Sequence, residues 1–202
     1  GIVYNQEYSE GKPTTTLNVV GKTSSRGTKI VFKPDSNIFE DLNFRFEILS
    51  NRLRELAFLN KGIKINIHDE RDGKDNEFIF EGGIRSFIEH LGKNKKIIHP
   101  NPIYIERSKD DCDLEMAIQY NDSYSEEVFT FVNNVNTRDG GTHLSGFKSA
   151  LTRTVNSYAN QNNLLKNAGV TLTGDDAREG LILVLSIKIP DPQFEGQTKG
   201  KL

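Results

Sequence analysis

The sequence predicts an α+β protein built in two patterned halves, and three observations carry that prediction. Residues 44–60 repeat apolar side chains at helical spacing (Phe46, Leu49, Leu53, Leu56 and Ala57) between segments that alternate like strands. Residues 103–134 read as a β-meander, followed by a helical pattern at 144–159 and a nearly continuous apolar run at 181–189. Between the halves, Lys93, Lys95 and Lys96 with Pro100 and Pro102 mark a polar connection over residues 92–102.

The elements follow in order. Residues 1–8 and 15–21 are β-like and are separated by the turn signal Glu10-Gly11-Lys12-Pro13. Residues 27–33 alternate, with Thr28, Ile30 and Phe32 on one face, until Pro34-Asp35 stops them. The helix at 44–60 ends on Lys61-Gly62, a basic last turn with a glycine just past it. Ile48, Phe58 and Leu59 widen its apolar stripe, so it should be covered on more than one side. Two strands at 63–67 and 76–80 flank the polar turn 69–75, and 84–91 is a short helix. In the second half, strands are expected at 103–107, 113–120 and 126–134, where Leu114, Met116, Ile118 and Tyr120 alternate strictly. Leu144, Phe147, Leu151, Val155 and Tyr158 draw the core face of the next helix, with Thr142 as its expected N-cap. The run at 181–189 has the composition of a central strand covered on both faces. The order β-β-β-α-β gives a helix packed on a sheet.

Composition bounds the function. The chain has 202 residues, 27% charged and nearly balanced at a net charge of -2. That balance argues against a nucleic-acid coat or a polybasic membrane binder, both of which need excess Lys and Arg. No window approaches the roughly eighteen apolar residues that span a bilayer, and no signal-peptide pattern opens the chain. Cys112 is the single cysteine, so no intrachain disulfide can form and a reducing cytoplasm is the expected home. The four histidines at 68, 90, 99 and 143 lack metal-ligand spacing. The chain starts on Gly1 before Ile2-Val3-Tyr4, with no initiator Met, which predicts a fragment of a longer protein.

No self-contained catalytic motif is present: no nucleophile elbow, no zinc-protease helix and no Walker phosphate loop. Three segments nevertheless stand out. Thr137-Arg138-Asp139-Gly140-Gly141-Thr142-His143 places two glycines before a helix start, which suits either an anion site or a tight strand-to-helix turn, the turn being preferred. Gly174-Asp175-Asp176-Ala177-Arg178-Glu179-Gly180 reads as an Asp-capped turn with an Arg–carboxylate pair. After Pro190-Asp191-Pro192, Gln197 and Lys199 project from irregular backbone, where an amide and an ammonium can meet a phosphate or simply face solvent. From Gly140 to Gly174 the chain carries Lys148, Arg153 and Lys166 and no acid, a diffuse positive surface on which no continuous stripe is demonstrated.

Taken in order, these segments resemble the bacterial DNA gyrase B family. Arg52-Leu53-Arg54-Glu55-Leu56-Ala57-Phe58-Leu59-Asn60 is similar to the long helix late in that family's ATPase domain. Glu81-Gly82-Gly83-Ile84 resembles the stretch that closes the domain. The segments Arg138–His143, Gly174–Gly180 and 197–202 resemble the transducer domain that follows. The equivalent topoisomerase IV proteins share the Gly-Gly-Thr-His and Gln-Thr-Lys elements but commonly depart from the 54–60 and 175–180 strings. Mismatch-repair and Hsp90-type GHKL proteins share the two-domain plan but are not expected to carry the 138–143 and 174–180 strings. A stand-alone RNA-binding module would need an aromatic-basic motif that the sequence lacks.

The resemblance implies that residues 1–98 are the C-terminal part of a GHKL ATPase α/β sandwich and that 99–202 form a transducer like ribosomal protein S5 domain 2. It implies an ATP-dependent type II topoisomerase that introduces negative supercoils by ATP-gated strand passage. ATP and Mg2+ would be its cofactors, and DNA and gyrase A its partners. Gyrase B would form a homodimer within an A2B2 heterotetramer. Thr28 and Ile30 would line the adenine pocket, Gln197 and Lys199 would reach the γ-phosphate, and Lys148 would line a cavity that receives DNA. The family's general base, magnesium-binding asparagine, adenine-reading aspartate and lid would all precede Gly1. The chain alone is therefore expected to be inactive, with the 197–202 loop disengaged.

Overall fold

The computed structural model describes residues 1–165 and 170–202, so Lys166 lies outside the described residues. They form two compact units, Gly1–Arg45 and Phe46–Leu202.

In the first unit, β1 (Ile2–Asn5) pairs antiparallel with β4 (Asn18–Lys22). Between them β2 (Tyr8–Ser9) and β3 (Lys12–Pro13) form a small hairpin over Glu10-Gly11. The Gly1 ammonium donates to the Thr23 carbonyl at 2.6 Å and closes the ribbon. The strand expected at 27–33 does not form: Ile30 is 80% exposed, and no strand pairs with this stretch among the described residues. Alternation prepares a face for burial, but a strand also needs a neighbour to take its backbone groups. Phe32 and Phe44 instead meet edge to face at 6.0 Å.

The second unit begins with α1 (Phe46–Leu59), the hairpin β5 (Ile65–Asp69) and β6 (Lys74–Phe78), and α2 (Ile84–Gly92). Next come β7 (Ile103–Lys109), β8 (Cys112–Tyr120), β9 (Glu127–Val132) and β10 (Val135–Asn136). The chain then runs through α3 (Thr142–Gln161) and α4 (Gly174–Arg178) into β11 (Leu181–Lys188). The strands form a five-stranded sheet in the order β10-β9-β11-β8-β7. β11 runs antiparallel to β8 and parallel to β9, and α3 lies in the long connection that parallel pairing requires.

The apolar run of β11 explains the layering. Ile182 and Val184 pack with Phe58, Ile84, Phe87 and Ile88 of α1 and α2 on one face. Leu181, Leu183 and Leu185 pack beneath Leu144, Phe147 and Leu151 of α3 on the other. A central strand with both faces covered has no solvent-facing side, which is why its sequence does not alternate and why even Ser186 within it is buried. The fold is α+β, as expected.

Within residues 92–102, residues 96–99 are tied to the end of β8. Ile98 donates its backbone N–H to Tyr120 at 3.0 Å, Asp122 donates to Lys96 at 3.1 Å, and His99 Nε2 accepts from the Tyr120 N–H at 2.9 Å. Proline and lysine mark this segment as irregular, and the end of β8 holds it down. Among the described residues no helix is long and apolar enough to cross a membrane.

Candidate functional site

The three singled-out segments all lie in the second unit, and two of them touch. β9 and β10 are joined by Asn133-Asn134, both in the left-handed region at φ 48° and 65°, the backbone of a two-residue hairpin turn. Thr137 follows and is fully buried. Its hydroxyl lies 2.8 Å from Thr130 Oγ1 and 3.0 Å from His143 Nε2.

Gly140 and Gly141 then admit the end of the chain. The Asp139 N–H donates to the Gly200 carbonyl at 2.9 Å, the Leu202 N–H to Gly140 at 3.2 Å, and the Thr142 N–H to Leu202 at 3.3 Å. Gly141 has φ 139° and ψ -168°, a conformation open essentially to glycine, and a Cβ there would strike the Leu202 backbone. A Cβ on Gly200 would strike the Asp139 carboxylate. The turn is therefore a docking slot, and the Leu202 carbonyl occupies the start of α3, where the glycine pair could otherwise have held an anion. Gly141 stands at the N-cap, so Thr142 is the first helical residue and not the cap.

The 197–202 loop, expected to be disengaged from nucleotide in this chain, is tied to the fold by its backbone. Backbone bonds hold its end, and the Glu195 N–H donates to Lys201 and the Lys199 N–H to Gly196, both at 3.0 Å. The Gln197 and Lys199 side chains are exposed. Among the described residues neither makes an ion pair or a side-chain hydrogen bond, and Lys199 Nζ lies 5.8 Å from the Phe194 ring centre. An ammonium and an amide held ready on a fixed backbone fit a phosphate. They do not make a magnesium site, because Lys199 has no oxygen to offer and one amide carbonyl falls far short of the octahedral set that Mg2+ demands.

Lys148 does not present a free charge. Its Nζ lies 2.7 Å from Glu126, whose other oxygen is 2.8 Å from Arg178, and Arg178 also binds Asp175 at 2.6 Å. Burial raises the Glu126 carboxyl, but Lys148 and Arg178 outweigh it and hold the group below its ordinary value. This network gives the 174–180 string its Arg–carboxylate pair, as expected. The cap differs: Thr173 receives the Asp176 N–H while Asp176 binds back to Thr173, so the helix opens on a capping box. Beside β9 lies a cleft of about 520 Å3 lined by Glu55, Glu126, Thr137, Arg138 and Lys148 among others.

Thr28 and Ile30 belong to the first unit and stand exposed on irregular backbone. An apolar recess of about 420 Å3 in that unit is lined by Phe32, Pro34, Phe39, Leu42 and Phe44, and takes in neither residue.

His143 is half-buried, with Nδ1 enclosed and unpartnered among the described residues, and burial pushes its pKa below 6.5. In the unfolded chain it protonates at its ordinary value, so the unfolded state binds more protons between that value and the folded one. Stability should therefore be complete above about pH 6.5 and fall as pH drops toward the folded pKa. His90 is shifted the same way, first by burial. Urea unfolding at pH 7.5 and 5.5 should show a smaller pH dependence in His143→Gln than in the parent, with the His90 contribution remaining. Equal dependence would place His143 outside the titration.

A family model described as DNA gyrase B matches residues 83–202. The chain is 54% identical over 202 residues to the DNA gyrase B protein of Myxococcus xanthus, covering 100% of this chain and 25% of that protein. It superposes with a TM-score of 0.78 and 39% identity on the 43K ATPase domain of Thermus thermophilus gyrase B, solved with an aminocoumarin, covering 98% of this chain and 54% of that one. The topoisomerase IV ATP-binding domain of Francisella tularensis follows at 0.77 and 26%, covering 100% and 55%. In fold, the chain is of the class seen in the ATPase regions of bacterial gyrase and topoisomerase IV. More particularly, it belongs to the DNA gyrase B family. It spans about a quarter of the length of the Myxococcus relative.

Proposed function

We propose that this chain is the nucleotide-sensing and force-transmitting part of a gyrase B protein. Residues 1–98 are the latter part of the GHKL ATPase domain and 99–202 the S5-like transducer. The observation that carries the reading is the 197–202 loop. Its backbone is docked on the glycine turn before α3, while the Gln197 and Lys199 side chains make no ion pair or side-chain hydrogen bond among the described residues. A lysine that meets only the γ-phosphate distinguishes ATP from ADP, so hydrolysis changes what the transducer holds.

In the whole protein, ATP with Mg2+ supplies the hydrolysable phosphate, and the magnesium ligands come from outside this chain. Thr28 and Ile30 serve the adenine pocket, and Lys148 faces the DNA cavity with its charge partly balanced by Glu126. Gyrase B dimerises, joins gyrase A as A2B2 in the cytoplasm, and passes one DNA duplex through another to introduce negative supercoils. Full-length gyrase B reconstituted with gyrase A should supercoil relaxed plasmid only when ATP is present. ATP-dependent relaxation without supercoiling would favour topoisomerase IV, which the fold likeness also fits. The purified 202-residue chain should hydrolyse no ATP, and measurable turnover would overturn this division of the active site.

A further inference from the structure

We propose that Asn133 is a positioning residue for the phosphate-reading loop, and that Asn134 beside it joins that loop's anchor to α1. The proposal rests on the reading that Lys199 meets the γ-phosphate. A two-residue hairpin turn with two positive φ angles is served as well by Asn-Gly or Gly-Gly, so the turn itself does not call for two asparagine side chains. Both are engaged elsewhere.

Asn133 grips the exit of β11. Its Nδ2 donates to the Ile189 carbonyl at 2.8 Å, its Oδ1 accepts from the Ile189 N–H at 2.9 Å, and its own N–H donates to Ile187 at 2.9 Å. Ile189 immediately precedes Pro190, where the loop departs. The loop is thus fixed at its root by Asn133 and at its end by residues 139–142, both parts of the segment that follows β9.

Asn134 faces the other way. Its carbonyl accepts from Arg52 Nη2 at 2.7 Å, and its Nδ2 donates to Asn60 Oδ1 at 3.0 Å. Arg52 and Asn60 lie about two turns apart on and just past α1, so one residue holds the helix at two points. Arg52 is steadied by Glu55 at 2.8 Å, and Asn60 by the Leu56 carbonyl at 2.8 Å. The hairpin tip is therefore a common fixture for α1 and for the root of the loop. A shift of α1 against the sheet must move the tip or break these bonds, which is the discrete contact that coupling requires.

The test is made in full-length gyrase B with a non-hydrolysable ATP analogue and with ADP as probes. Asn133→Gly keeps the left-handed turn and removes only the bridge to Ile189. Its affinity for the analogue should fall about tenfold with ADP affinity unchanged, while loss of the bridge itself should lower the melting temperature modestly. Asn134→Gly leaves the Ile189 bridge intact and should keep the parent's preference for the analogue. Parent-like binding by Asn133→Gly, equal losses in both variants, or a parallel loss of ADP affinity would each overturn the proposal. Lys199→Ala, run alongside, must itself lose the preference for the analogue. If it does not, the phosphate reading fails, independently of Asn133.

Discussion

Lys199→Ala in full-length gyrase B is expected to fold normally and to lose about 10²-fold in ATP hydrolysis, the usual scale for deleting one preorganised donor to a developing charge. The side chain is exposed, its ammonium makes no ion pair among the described residues, and it supports no core packing. Its removal should therefore leave the fold intact. The position of the ammonium depends on backbone fixed at Lys199–Gly196 and at 200–202, so a truncated side chain leaves the loop where it was. Steady-state turnover with an unchanged melting temperature is the measurement. Parent-like turnover would remove Lys199 from the site. Arginine at the same position should restore little, because a planar fork on a longer side chain does not reproduce a compact point charge.

The largest effect on stability is expected at Phe58. It is 2% exposed and stacks on Phe80 at 3.6 Å between ring centres and on Phe87 at 4.8 Å. Phe58→Ala opens a cavity among rings that cannot all collapse into it, for a loss of about 3–5 kcal/mol. Ile48, on the same helix but 61% exposed, should change stability by no more than about 0.5 kcal/mol on replacement by Ala. Urea unfolding of the chain compares the two. Similar losses at both positions would mean that α1 is not held by the sheet face the structure assigns to it.

The contrast between Phe58 and Ile48 shows how far a pattern of side chains specifies burial. Helical spacing locates α1 within two residues, and the extra apolar positions predict cover on more than one side. Phe58 and Leu59 meet that expectation, whereas Ile48 does not. The 27–33 segment departs from expectation for a related reason: alternation is a property of one segment, and a sheet is a property of two. The two-residue β10 and the Asn133 bridge carry no periodic signal at all. The adjacent pair Asn133-Asn134 is the only local trace of them, since asparagine tolerates a left-handed turn.

The sequence by itself determined the α+β class, the central β11 and the family, because burial on both faces and several ordered motifs leave a local record. It also singled out Gln197, Lys199 and the glycine pair as unusual. Only the tertiary structure decided what the glycines are for. Gly140 and Gly141 receive the backbone of residues 200–202 from the far side of β11, and Lys148 is balanced by Glu126 across the gap to α3. Both facts join residues distant in sequence, and such contacts depend on where the sheet brings the chain together, which no local run of side chains encodes.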